Sequence, residues 1–308
     1  MQTTNNIFLV RPSNFVFNSE TADSNAFQNK LNENQETINQ KVWTEFDGFV
    51  MKLKAKGVNV TVFEDTLSPQ KPDSIFPNNW ISLHPDGTMI LYPMFAPNRR
   101  LERRQDLIDS LKTNFKITNI VDLSKYEAEN RFLEGTGSIV FDHDNKLAYA
   151  CLSPRTDRGI LEEVCAILNY KPVAFYSHDQ GGKEIYHTNV MMCIAEKFAV
   201  ICLDSITDGH EKTVICESLI TTGHEIIDIS FEQMNHFAGN MLALKTNENK
   251  SILALSQSSF DSLTSEQIVT IEKYSELLPL AVQTIETIGG GSARCMIAEV
   301  FSETKEQK

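Results

Sequence analysis

Apolar positions along this chain follow two periods in a fixed order. Four segments carry two β-rich runs around a polar turn: NWISLHPDGTMILYPM from Asn79, GSIVFDHDNKLAYACLS from Gly137, NVMMCIAEKFAVICLD from Asn189 and NMLALKTNENKSILALS from Asn240. Each reads as a hairpin. A fifth run, CMIAEVF from Cys295, has no partner strand after it, and NIFLVRP from Asn6 has none before it. Between hairpins the apolar period shifts to that of a helix, over residues 37–57, 99–115, 157–168, 211–223 and 265–278. One more short β run follows each helix: VNVTVFE, FKITNIVDL, KPVAFYS, HEIIDIS and LAVQTIE.

The five starts lie 58, 52, 51 and 55 residues apart, an internal repeat. The unit is strand–strand–helix–strand. Its first copy is split, so that its hairpin must be assembled from the two ends of the chain. The pattern predicts an α/β protein, a five-bladed pseudo-symmetric α/β propeller of ββαβ units. The N- and C-terminal strands would close the first unit. Residues 1–308 then form a single domain, although length alone suggests two.

A closed ring brings equivalent positions together on its axis. The residues opening each hairpin are Asn79, Glu134, His187, Asn240 and Cys295. Taken singly, Glu134 reads as an exposed turn carboxylate and His187 as a structural histidine. Placed together, a thiol, an imidazole and a carboxylate make a set for nucleophilic catalysis. Among six cysteines, Cys295 stands apart, because it follows Gly289-Gly290-Gly291-Ser292-Ala293-Arg294. Cys151, Cys193 and Cys202 sit in apolar runs and read as core. His236 falls near the axis and is expected to line a pocket. The other histidines fall in turns and loops and read as solvated.

The formal charge of −13 argues against a nucleic-acid partner, which would need a basic face. No CxxC pair exists and no metal site is expected. The sequence shows no secretory leader and no membrane span, and a cytoplasmic location is expected. A homo-oligomer is compatible with the sequence.

Four motifs resemble segments of the guanidino-group-modifying, or pentein, superfamily. GGGSARCM resembles the segment carrying its catalytic cysteine, YHTN that of its histidine, and FLEGTGS that of its acid. CLSPRTDRG resembles the segment whose arginine holds the substrate carboxylate. The subgroup resembled contains arginine deiminase-related and amidinotransferase-like proteins, including a citrulline-utilisation hydrolase.

The resemblance implies that Cys295 attacks the substrate carbon, His187 serves as acid and base, and Glu134 holds the geometry. It implies a small amino-acid substrate, with Arg155 binding its carboxylate and Arg99 and Arg100 as second candidates. Phe76 and Asn240 join the substrate-binding set. No cofactor is implied. Arginine-processing members carry aspartates where this chain has Asn79 and Asn189. Neutral amides favour a ureido group over a guanidinium cation, so citrulline hydrolysis to ornithine, carbon dioxide and ammonia is the leading expectation. Asp73, if it turns inward, restores an anionic partner and with it arginine. The alternatives are an arginine deiminase-like hydrolase, an amidinotransferase, or a catalytically silent binding protein of the same fold.

Overall fold

The computed structural model describes residues 1–305, and the last three of the 308 lie outside the described residues. Its strands form five separate three-stranded sheets. In the second to fifth, an antiparallel pair is followed by a helix and then by a strand parallel to the second member. The first of these pairs Ile81–Leu83 with Thr88–Leu91, and then Asn119–Asp122. Val140–Asp142, Leu147–Cys151 and Lys171–Phe175 repeat the pattern. So do Met192–Ile194, Phe198–Ile201 and Glu225–Asp228, and Leu242–Lys245, Ser251–Ser256 and Glu276–Leu280. The remaining sheet joins the two ends of the chain. Asn6–Arg11 runs antiparallel to Ala298–Glu299 and parallel to Asn59–Glu64.

The local rules of sequence explain these elements. The helix Gln35–Ala55 buries Ile38, Val42, Phe46, Phe49 and Leu53, one stripe at helical spacing. Asn34 caps it by accepting from Thr37 N, as Asp157 and Asp208 cap the helices that follow them. Neighbouring sheets touch through backbone bonds. Leu83 bridges Val300, and Lys245 N donates to Thr4 O at 3.0 Å. No described helix is long and apolar enough to cross a membrane.

Three expectations are corrected. The hairpin strands start two or three residues late, at Ile81, Val140, Met192 and Leu242. In the first three a short helical turn comes before the strand (Pro77–Asn79, Gly135–Ser138, Thr188–Met191), and it presents the opening residues to the interior. The last β run is not at 280–286. The strand is Glu276–Leu280, with Pro279 in register against Leu255, and residues 283–289 are helical. The expected helix from 99 is broken. Pro97–Glu102 is a tight 3-10 turn and the α-helix begins at Gln105.

His84, His143 and His224 are buried rather than solvated. His84 shares Ser82 Oγ with Tyr92, and His143 bonds Tyr170 OH beside Phe141 and Phe301. Burial lowers the pKa of His84 to about 4 and pushes that of His143 well down. Each stays neutral in the fold but takes a proton in the unfolded chain below about pH 6.5. Stability is therefore full above pH 6.5 and is lost as pH falls towards 4. His84 alone accounts for about 3 kcal/mol of that loss. Urea unfolding at pH 7.5 and 4.5 should show His84→Gln losing about 3 kcal/mol less than the parent on acidification. Identical losses would refute this.

Candidate active site

Loops and turns from several units meet at one small cavity. Asp73, Phe76, Asn79, Arg99, Arg155, Tyr186, His187, Gly289–Gly291 and Cys295 all line it. The cavity measures about 20 Å³, room for roughly one water.

Glu134 has no solvent exposure and sits behind His187. Its Oε2 bonds His187 Nε2 at 2.7 Å, and its Oε1 accepts from Phe95 N at 2.9 Å. Burial by itself would raise its pKa. The Arg155 cation 3.5 Å away, the His187 bond and Arg99 outweigh that, and the net shift is strongly downward. Glu134 is therefore an anion. His187 moves down to about 4, because burial and the charges of Arg155 and Arg99 outweigh the pull of Glu134. The pair is thus carboxylate and neutral imidazole. With Nε2 taken by Glu134, Nδ1 carries the free lone pair.

Cys295 sits among amides. Asn240 Nδ2 approaches its Sγ at 3.2 Å and Asn189 Nδ2 at 3.5 Å, two donors suited to a negative sulfur. Asn240 also donates to Asn189 O at 2.9 Å and accepts from Arg294 N, so one side chain ties three of the repeat positions together. The approach to Cys295 depends on glycine. A Cβ at Gly289 or Gly291 would meet the Phe76 ring at 2.8 or 2.9 Å, and Gly290 adopts φ +63°.

Arg155 is 2% exposed and stacked over the Tyr186 ring at 4.8 Å. It donates to Thr21 O and Ser24 Oγ, and its Nε has no partner. Asp73 is buried. Its Oδ2 accepts from Asn18 and its Oδ1 has no partner, while burial raises its pKa against the pull of Arg99. Asn79 Nδ2 and Asn189 Oδ1 are likewise unpartnered. Buried polar groups without partners are costly, and three of them, on Asp73, Asn79 and Arg155, in the lining of one cavity mark a seat for a polar ligand.

Arg100 and His236 lie away from the cavity, and Arg99 lines it but is already bonded. Arg100 bonds Met94 O and Phe95 O and faces Glu127, away from the cavity. Arg99 is consumed by Glu102 and Asn79, which leaves it no fork for a carboxylate. His236 is exposed and bonds Ser258 in an outer cleft. The sequence reading missed Tyr186, Glu102 and the segment Asn18–Asn25. Tyr186 stands beside the histidine motif, so proximity was its only signal. The segment carries no motif and reaches the site only through tertiary contact.

A sequence profile described as N,N dimethylarginine dimethylhydrolase, eukaryotic, matches residues 11–302. No protein of curated function matches. Among solved structures, the chain resembles the N-terminal domain of ArgZ, described as an arginine dihydrolase of the ornithine–ammonia cycle in cyanobacteria. That structure is of a cysteine-to-serine variant bound to substrate. Identity is 14%, TM-score 0.74, and the match covers 97% of this chain and 98% of that one. AgrE, as a cysteine-to-alanine variant with L-arginine, aligns at 12% identity and TM-score 0.75, over 98% of this chain and 41% of that one. The chain thus spans about two fifths of that AgrE chain. Dimethylarginine dimethylaminohydrolase, as a histidine-to-glycine variant with an S-methyl-L-thiocitrulline adduct, aligns at 14% identity and TM-score 0.65, over 96% and 99% of the two chains. The fold is that of the guanidino-modifying enzymes. The profile match over nearly the whole chain places the protein in the N,N dimethylarginine dimethylhydrolase family, among hydrolases of non-peptide C–N bonds.

Proposed function

We propose that the protein is a cysteine-dependent hydrolase of a free guanidino amino acid that also cleaves the ureido product. The observation that carries this reading is one cavity lined by Cys295, His187, Arg155, Asp73 and Asn79, with an Asp73 oxygen and the Asn79 amide nitrogen unpartnered, and the Asn189 amide on Cys295. Asp73 supplies the anion that a guanidinium requires. The amides supply the mixed donor and acceptor set that a urea requires. Citrulline is therefore the second substrate of the site and arginine the first. ArgZ, which shares the fold, is described as an arginine dihydrolase, which agrees with both steps.

In this mechanism Cys295 gives its proton to His187 Nδ1 as Sγ bonds the guanidino carbon. The imidazolium, stabilised by Glu134, passes that proton to the leaving ammonia. His187 then takes a proton from water, the water oxygen bonds the carbon, and the Sγ–C bond breaks to release the ureido amino acid. Arg155 holds the substrate carboxylate, exchanging its bonds to Thr21 and Ser24 for a bidentate fork. The cavity is far too small for an amino acid, so binding displaces the Thr21–Asn25 segment.

The reading includes one catalytic domain over 1–308, of which the last three residues lie outside those described. Its five units close into a propeller, as the contacts between neighbouring sheets support. A cytoplasmic setting suits its six free thiols. Divergence of Cys295, His187 and Glu134 would have favoured the catalytically silent alternative; Cys295 and His187 share the cavity and Glu134 bonds His187, which supports the catalytic reading.

Ammonia release from arginine, citrulline and methylated arginines tests the substrate assignment. Arginine should give two ammonia per ornithine. Turnover confined to methylated arginines would overturn it. Cys295→Ala should lower kcat by roughly a thousandfold or more. Residual activity near the parent's would refute the covalent route. Because His187 is neutral down to about pH 4, the acid limb of kcat/KM should lie near 4. Glu134→Gln should cost about 10⁴-fold by analogy with other orienting carboxylates. A limb at the ordinary histidine value of about 6.5 would contradict the electrostatics.

A further inference from the structure

Asn79 is held by one end. Its Oδ1 accepts from Arg99 Nη1 at 2.8 Å, while its buried Nδ2 has no partner. The two ends of an amide are chemically opposite, so the partner decides which end faces the cavity. Arg99 offers donors only and can bind only the oxygen.

Arg99 is itself held by several partners, among them Asp73 Oδ2, 3.6 Å from its Nε. Glu102 takes Nε at 2.8 Å and Nη2 at 2.9 Å, and Nη2 also reaches Phe76 O. Glu102 lies three residues on in the same 3-10 turn and is buried, so the pair is rigid. The free Nδ2 therefore points away from Arg99. It packs against Gly137, where an added Cβ would strike both Asn79 Nδ2 and His187 Nδ1. The amide nitrogen and the proposed base flank the same spot.

Asn189 is turned the opposite way. Its Nδ2 is on Cys295 Sγ and its Oδ1 is free. Apart from Arg155, which the mechanism keeps for the carboxylate, the cavity lining thus presents one free donor, from Asn79, and one free acceptor, from Asp73. A guanidinium, all donors, satisfies the acceptor and leaves the Asn79 donor unused. A ureido group uses both.

We propose that Arg99 and Glu102 form an orientation lock, holding Asn79 Nδ2 towards the cavity as the donor for a ureido oxygen. The lock gives the site its second substrate class. This rests on the hydrolase reading above. When Sγ bonds the ureido carbon, the C=O electron pair moves onto oxygen, and Asn79 Nδ2 donates to that oxyanion. The C–N bond to ammonia then breaks, with the proton delivered by His187. Water displaces Sγ, and the resulting carbamate loses carbon dioxide to leave the free amine. Arg99 and Glu102 act through Asn79 and are positioning residues.

The test is the ratio of kcat/KM for citrulline to that for arginine, measured on the full chain. Arg99→Lys, Glu102→Gln and Asn79→Asp should each lower this ratio about a hundredfold, the loss typical of one oxyanion donor. The variants given arginine should accumulate citrulline. A ratio that stays within a few-fold of the parent's overturns the lock, whatever the absolute rates. Glu102→Gln keeps the shape of the side chain and carries the test if Arg99→Lys does not fold. A parent enzyme that converts arginine to citrulline and stops there overturns the lock but leaves the hydrolase reading intact. A parent inactive on both substrates sinks that reading as well.

Discussion

Everything in the site depends on keeping one carboxylate ionised without water. Glu134 is sealed from solvent, and an isolated charge there would be expensive enough to protonate. It remains an anion because Arg155, His187 and the Phe95 amide converge on its two oxygens. Those partners come from different parts of the chain, and the carboxylate holds them in register. Removing any one of them would leave a buried charge short of a partner. The ion cluster therefore joins stability and chemistry in the same few atoms.

The repeat supplies the means of assembling such a cluster. Each unit begins where its first strand leaves the interior, so five copies offer five openings to one place. Different side chains at equivalent positions supply a carboxylate, an imidazole, a thiol and amides without any new backbone. The helical turns at Gly135–Ser138 and Thr188–Met191 refine this by aiming Glu134 and His187 from the turns' N-terminal ends. Close approach is possible only because Gly137, Gly289 and Gly291 lack side chains.

The site is also deliberately incomplete. Asp73, Asn79, Asn189 and Arg155 each carry a buried atom without a partner. Such atoms cost stability of about 1–3 kcal/mol apiece. A ligand with matching donors and acceptors recovers that cost, which is how a cavity discriminates between groups of the same shape. Cation and urea differ in just this respect.

Much of this was legible in the chain. The alternation of strand and helix periods, repeated at a near-constant spacing, determined the ββαβ unit and its split first copy, because hydrophobic periodicity is a local property of sequence. It also singled out Cys295, His187 and Glu134, since their positions in the repeat were equivalent. Local signals failed where neighbours far along the chain decide. Nothing in RRLERR distinguishes Arg99, buried against Glu102 and Asn79, from Arg100, which turns away. Nothing in the composition of residues 18–25 shows that they cover the cavity, and nothing in a turn histidine shows that His84 and His143 are enclosed. Sequence determined which elements form and which residues open each unit. Tertiary structure alone decided which way Asn79 faces, whether Asp73 turns inward and which arginine keeps an unpartnered nitrogen, because hydrogen-bond partners and burial are set by residues far apart in the chain.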